Sequence, residues 1–113
     1  MADSSDLFGM VVVYNDDGTA AVSPSGELDL HTAPRLADRV RTLFAEGRRR
    51  VTLDLGALSF IDSAGLGSLV VMHKQAALGG VEFVVTNPQP QVLEVMEISG
   101  LLRVIRVELP SEG

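Results

Sequence analysis

The chain has 113 residues, which allows one domain with a hydrophobic core of its own. It has no cysteine, so disulfide staples and thiolate metal sites are excluded. A formal net charge of −6 argues against a nucleic-acid partner, which needs a basic face.

Residues 1–6 are polar and acidic and are expected to be a flexible N-terminus. They lack the basic residues and apolar stretch of a secretory signal. No apolar run approaches the ~20 residues of a membrane span. A cytoplasmic protein without a membrane partner is expected. The folded domain is predicted over 7–109, with 110–113 as a frayed tail.

Leu7 to Tyr14 predicts a strand centred on Met10-Val11-Val12-Val13. Asn15-Asp16-Asp17-Gly18 is a strong turn signal between extended segments. Thr19 to Ser25 predicts the returning strand, with Pro24 weakening its end because proline cannot donate to a ladder. Thr32 is a candidate N-cap, with Pro34 in the first helical turn. Leu36, Ala37, Val40, Leu43 and Phe44 follow at helical spacing, and Gly47 stops the helix. The run Arg48-Arg49-Arg50 then reads as a solvated helix terminus, where cations are favoured.

Arg50 to Leu55 predicts a strand. Gly56 to Ser63 reads as a loop, and a helix runs from Ser63 to the stop at Gly79-Gly80. Val81 to Thr86 predicts another strand, and Asn87-Pro88-Gln89-Pro90 a turn and helix start. The third helix continues to about Ser99, with Gly100 as its stop. A last strand lies within Leu102 to Leu109. Alternating strands and amphipathic helices predict an α/β fold. Its sheet is mostly parallel, with an antiparallel edge hairpin at the N-terminus and helices packed on it. Right-handed crossovers place Gly26–Thr32, Gly56–Ser63 and Thr86–Pro90 on one edge, where open α/β sheets bind ligands and partners.

Catalytic patterns fail at that edge. A nucleophile elbow needs glycine two residues before Ser63, and Ile61 stands there. His73 follows Ser63 by some three helical turns, too far for a hydrogen bond. A dinucleotide loop beginning Gly65-Leu66-Gly67 would need glycine where Val70 stands. The chain's one lysine, Lys74, lies inside a helix, and no phosphate loop of the G-x-x-x-x-G-K type occurs. Scattered histidines and carboxylates supply no convergent metal ligands. No enzyme activity, cofactor or metal is expected.

Ser63 instead stands at the start of a helix, where unpaired N–H groups and partial positive charge favour a phosphate. It is read as a regulatory phosphorylation site. Asp62 is a candidate helix cap, or a carboxylate that orients the serine hydroxyl. Gly65 and Gly67 each cost a helix about 1 kcal/mol relative to alanine. They serve either close approach by another molecule or tight packing on the sheet. Leu66 between them is a candidate contact.

The segments Gly26-Glu27-Leu28-Asp29 with Thr32-Ala33, Leu53-Asp54-Leu55, Leu58 to Gly67, and Ile98-Ser99-Gly100-Leu101 resemble the bacterial anti-sigma factor antagonists, which are single STAS domains. The resemblance implies a STAS-like fold and a partner-switching role in transcription regulation. Such a protein binds an anti-sigma factor that is also a serine kinase, and frees a sigma factor. The kinase phosphorylates the serine after the motif aspartate, here Ser63, and binding ends. A PP2C-type phosphatase restores it. The motif aspartates map to Asp29 and Asp62, so the implied partner-binding set is Asp29, Asp62, Ser63, Gly65, Leu66 and Gly67. Through charge complementarity, the two aspartates are expected to act on binding and hardly on stability. The family usually carries Ser or Thr after the acceptor, where this chain has Ala64. The competing reading is a STAS scaffold or adaptor of a signalling or transporter complex whose serine is never modified.

Overall fold

The computed structural model describes residues 6–109; the expected tail and the first five residues of the expected flexible N-terminus lie outside the described residues. The elements are β1 (Gly9–Tyr14), β2 (Thr19–Leu28), α1 (Ala33–Ala45), β3 (Arg50–Asp54), β4 (Leu58–Ile61), α2 (Ser63–Leu78), β5 (Glu82–Thr86), α3 (Pro90–Ile98) and β6 (Val107–Glu108). A 3-10 turn at Leu101–Arg103 joins α3 to β6. The sheet runs β1-β2-β3-β5-β6, and β4 pairs with β2. β1 and β2 are antiparallel, and every other pairing is parallel. The predicted α/β fold, with its antiparallel N-terminal hairpin and parallel remainder, is therefore the observed one.

Two strand predictions need correction. The loop expected over Gly56–Ser63 contains β4, which takes up β2 where β3 leaves it. The last β2–β3 pair is Val22 with Leu53, and the first β2–β4 pair is Gly26 with Leu58. Pro24 sits in the gap between those pairings and does not end the strand. The Gly26 N–H donates to the Ala57 carbonyl on that side. Nitrogens two residues apart in a strand face the same way, so the Pro24 nitrogen faces the gap and no ladder bond is lost. β2 consequently continues through Gly26-Glu27-Leu28, which had been read as loop.

The hairpin turn forms as its residues dictate. The Asp17 carboxylate accepts from the Thr19 hydroxyl (2.6 Å) and backbone N–H (3.1 Å), and Gly18 takes φ +86°. The Thr19 hydroxyl, foremost, holds the Asp17 carboxyl below its ordinary pKa, with the Thr19 N–H and Arg49 adding to the effect.

α1 and α2 cover the sheet and pack on each other. α1 buries Ala33, Leu36, Val40 and Leu43 at helical spacing, and α2 buries Gly65, Leu69, Met72 and Ala76. Full burial of a leucine or methionine side chain contributes ~1.5–3 kcal/mol. The arginine run is not one solvated terminus. Arg48 approaches Glu46, Arg49 pairs with Asp17, and Arg50 in β3 pairs with Glu82 and Glu108. Three neighbouring cations thus serve three different parts of the fold.

Candidate partner-binding site

The β2–α1 loop is organised around Asp29. Its Oδ1 accepts from the backbone N–H groups of His31 (2.9 Å) and Thr32 (3.2 Å). Thr32 is wholly buried. It holds the N-cap position of α1, but its side chain makes no cap hydrogen bond. The hydroxyl instead donates back to the Glu27 carbonyl at 2.6 Å and accepts from the Asp29 N–H at 2.9 Å. Thr32 therefore pins the loop to the end of β2, which corrects its expected role as a side-chain cap.

β4 delivers the chain to α2, and Asp62 is the N-cap. Its Oδ1 accepts from the Gly65 N–H at 3.0 Å, satisfying one of the orphan donors of the helix start. That bond commits one carboxylate oxygen to the helix. Ser63 is the first helical residue and is exposed. The nearby Ser59 and Ser68 hydroxyls are tied to the carbonyls of Gly26 and Gly65.

The two glycines of this turn do different work. A Cβ on Gly65 would lie 2.6 Å from the Leu28 carbonyl oxygen and 2.7 Å from Ile61 Cγ1. Gly65 is thus the packing glycine, buried where α2 leans on β2. A Cβ on Gly67 would meet nothing within 4 Å, and Gly67 is exposed. Leu66 between them is partly buried against the core, so only part of it is available to another molecule.

These pieces meet at the carboxyl edge of the sheet. The Asp62 N–H donates to the Leu28 carbonyl at 3.2 Å, which brings Asp62 and Ser63 beside the Asp29 loop. The third predicted loop and the first turn of α3 tie down the segment that leads to Asp62. Gln89 Nε2 donates to the Gly56 carbonyl at 2.8 Å, and Gln91 Nε2 donates to the Ser59 carbonyl at 3.2 Å. His31 is exposed in the Asp29 loop, while His73 is half-buried on α2, roughly 15 Å from Ser63 by helical rise. Among the described residues there is no group of three His, Asp or Glu side chains that could hold a metal ion. Among them, too, no helix is long and apolar enough to cross a membrane.

The sequence reading missed the apolar surroundings of Ser63. Leu30, Phe60 and Val71 are all exposed. An open groove of about 270 Å³ runs between α1 and α2, lined by Leu30, Ala33, Pro34, Ala37, Ala64, Ser68 and Val71. Its signal was present in α2, whose apolar residues do not keep to one face.

The edge thus carries an exposed Ser63 at the start of α2, next to the capping Asp62, and the fold around it is shared with known proteins. The sequence pattern of the STAS domain matches residues 10–112. The chain is 34% identical over 95 residues to the anti-sigma F factor antagonist of Paenibacillus polymyxa, covering 80% of this chain and 78% of that protein. An anti-sigma factor antagonist from Mycobacterium paratuberculosis superposes with a TM-score of 0.80 at 27% identity, over 92% of this chain and 86% of that one. The fold recurs in SpoIIAA. Its unphosphorylated form has a TM-score of 0.76 at 23% identity, over 92% of this chain and 90% of that one. Its phosphorylated form has 0.69 at 22%, over 92% and 93%. With the family pattern spanning nearly all of the described fold, the chain belongs to the STAS domain family.

Proposed function

We propose that this protein is an anti-sigma factor antagonist switched by phosphorylation of Ser63. The observation that carries the reading is the exposed Ser63 hydroxyl at the first position of α2. In this reading the unmodified protein binds an anti-sigma factor serine kinase in the cytoplasm and thereby frees a sigma factor. Asp29, Asp62, Ser63, Leu66 and Gly67 form the contact, and Gly65 holds the turn against the sheet from behind. The kinase directs the Ser63 oxygen onto the γ-phosphorus of ATP. The new O–P bond replaces the bond to ADP, and the hydroxyl proton leaves to a base on the kinase. A PP2C-type phosphatase returns the serine by hydrolysis.

The physical switch is charge. Phosphate adds about −1.5 to −2 charges at pH 7. Within the free protein, the N-terminus of α2 favours that charge. The fold that SpoIIAA shares exists in a phosphorylated form, which supports a modification that leaves the architecture in place. A partner surface fitted to a neutral hydroxyl must instead desolvate the phosphate beside Asp29 and Asp62. Unpaired interfacial charge of this kind costs ~2–5 kcal/mol.

The test uses the kinase that co-purifies with the unmodified protein from its host. With ATP it should label wild type at Ser63 and leave Ser63→Ala unlabelled, while Ser63→Asp should bind at least ~30-fold more weakly. Undiminished labelling of Ser63→Ala, at Ser59 or Ser68 for example, would overturn the assignment.

A further inference from the structure

The groove beside Ser63 is left open by the fold's own packing. Leu30, Pro34 and Ala37 line the α1 side, and Ala64, Ser68 and Val71 line the α2 side. Leu30 is 70% exposed and Val71 51%. The Ser68 hydroxyl is already donated to the Gly65 carbonyl, so it offers a ligand little polarity. A small open groove flanked by exposed leucine and valine offers a seat for an apolar side chain.

On α2, residues 64, 68, 71, 75 and 78 recur every three or four positions and share one stripe. The stripe begins next to Ser63 and runs away from it to Leu78, which is 90% exposed. Its occupant can be argued from distance. A kinase that phosphorylates Ser63 must enclose that hydroxyl, which puts Ser63 near the middle of the contact. A standard interface buries ~800 Å² on each partner, a disc of roughly 16 Å radius. Along α2, Val71 is ~12 Å from Ser63 and Leu78 is ~22 Å from it. The groove therefore falls inside the contact and Leu78 outside.

We infer that the groove receives an apolar side chain from the kinase, carried on the surface that borders the kinase active site. The inference rests on the Ser63 reading and deepens it. Ala64 acquires a function in this arrangement. Its methyl group continues the apolar wall up to the phosphoacceptor, where the hydroxyl of a serine or threonine would make the mouth polar. Ala64 thus helps to select a kinase with a greasy anchor.

The experiment places the photo-crosslinker p-benzoylphenylalanine at position 71 or 78 of the full chain in its host. Crosslinked proteins are identified by mass and assayed with ATP on the wild-type chain. Position 71 should capture a kinase that labels Ser63, and position 78 should not. Affinity for that purified kinase should then fall at least ~10-fold for Val71→Asp and for Leu30→Asp, and stay within about twofold for Leu78→Asp. All three positions are exposed, and Leu30 on its loop gives a reading independent of helix α2. If a kinase labels Ser63 yet binds Val71→Asp and Leu30→Asp as tightly as wild type, the groove assignment is overturned and the Ser63 reading stands. If no kinase labels Ser63, the Ser63 reading fails and the groove assignment with it. Crosslinking of position 71 to a second copy of this chain would overturn the proposal in favour of self-association.

Discussion

α1 and α2 do the same structural job with different outer faces. Both cover the sheet, and both bury an inward stripe of aliphatic residues. The outer face of α1 is charged, and those charges have partners within the chain. Arg35 lies over the Phe8 ring at 5.1 Å, Arg39 donates to the Tyr14 hydroxyl at 2.6 Å, and Arg41 pairs with Asp38. The outer face of α2 has one exposed charge, Lys74, and carries Gly67, Val71 and Leu78 beside it. A helix that only covers a sheet has no need of apolar residues on its solvent side. The α1 pattern is explained by folding, whereas the apolar residues of α2 near Ser63 are those the proposed kinase contact would use. The helix with that surplus is also the helix that begins at Ser63.

The largest test of this contrast is Gly65→Ala. If the first turn of α2 is held by packing on β2, a methyl group at 2.6 Å from the Leu28 oxygen must push the helix away. Overpacking of this sort costs ~1–3 kcal/mol, and the gain in helix propensity returns up to about 1 kcal/mol. A net loss of about 1–2 kcal/mol is expected from denaturant unfolding. A stability equal to wild type would show that Gly65 is free for a partner, as its neighbour Gly67 is.

Asp62 comes next. Its carboxylate caps α2, so the expectation that it touches binding and hardly touches stability needs revision. Replacing an aspartate N-cap by alanine costs ~0.5–2 kcal/mol. Asn caps a helix as well as Asp does, so Asp62→Asn should keep the melting temperature and change only the charge. Asp29 calls for the same precaution, because it accepts two backbone N–H groups in its loop. If Asp62→Asn and Asp62→Ala weaken kinase binding equally, charge is what the partner reads. If only alanine does so, the partner reads the shape of the turn.

Gly67→Ala should act in the opposite sense to Gly65→Ala. Nothing lies within 4 Å of the added methyl, and alanine favours a helix interior by about 0.5–1 kcal/mol. Melting temperature should rise. If kinase affinity falls while stability rises, Gly67 is kept for close approach, and the turn divides its two glycines between fold and partner. If affinity is unchanged, Gly67 has no part in the contact.

What could be read from the sequence follows the same division. The helices, and four of the six strands among the described residues, were legible because apolar spacing and Gly or Pro stops agree with burial. β4 was not, since Leu58-Ser59-Phe60-Ile61 buries only its two ends and shows no alternation. The full length of β2 was hidden by Pro24 and Gly26, which read as breakers unless the change of partner from β3 to β4 is known. At the site, Ser63 and Asp62 drew notice by residue type and position, and Asp29 through the family resemblance. The groove did not, because its walls are ordinary alanines, a leucine, a proline, a serine and a valine whose significance depends on α1 and α2 being neighbours. The separate duties of Gly65 and Gly67 likewise depend on where Leu28 passes, which no local pattern encodes.

The smallest expected effect belongs to the charged face of α1. Arg41 and Asp38 are three residues apart, with side chains 57% and 73% exposed. Such helix pairs contribute ~0.2–0.5 kcal/mol, so Arg41→Ala should lower stability by no more than that. Salt should erase even this difference, since the Debye length falls to about 3 Å at 1 M. Kinase affinity measured by calorimetry should stay within about twofold of wild type at 0.15 M salt, because a rim charge acts mainly on association rate. A tenfold loss would mean that the partner also grips the solvent face of α1. The two helices would then share one interface, and the apolar surplus of α2 would no longer set it apart.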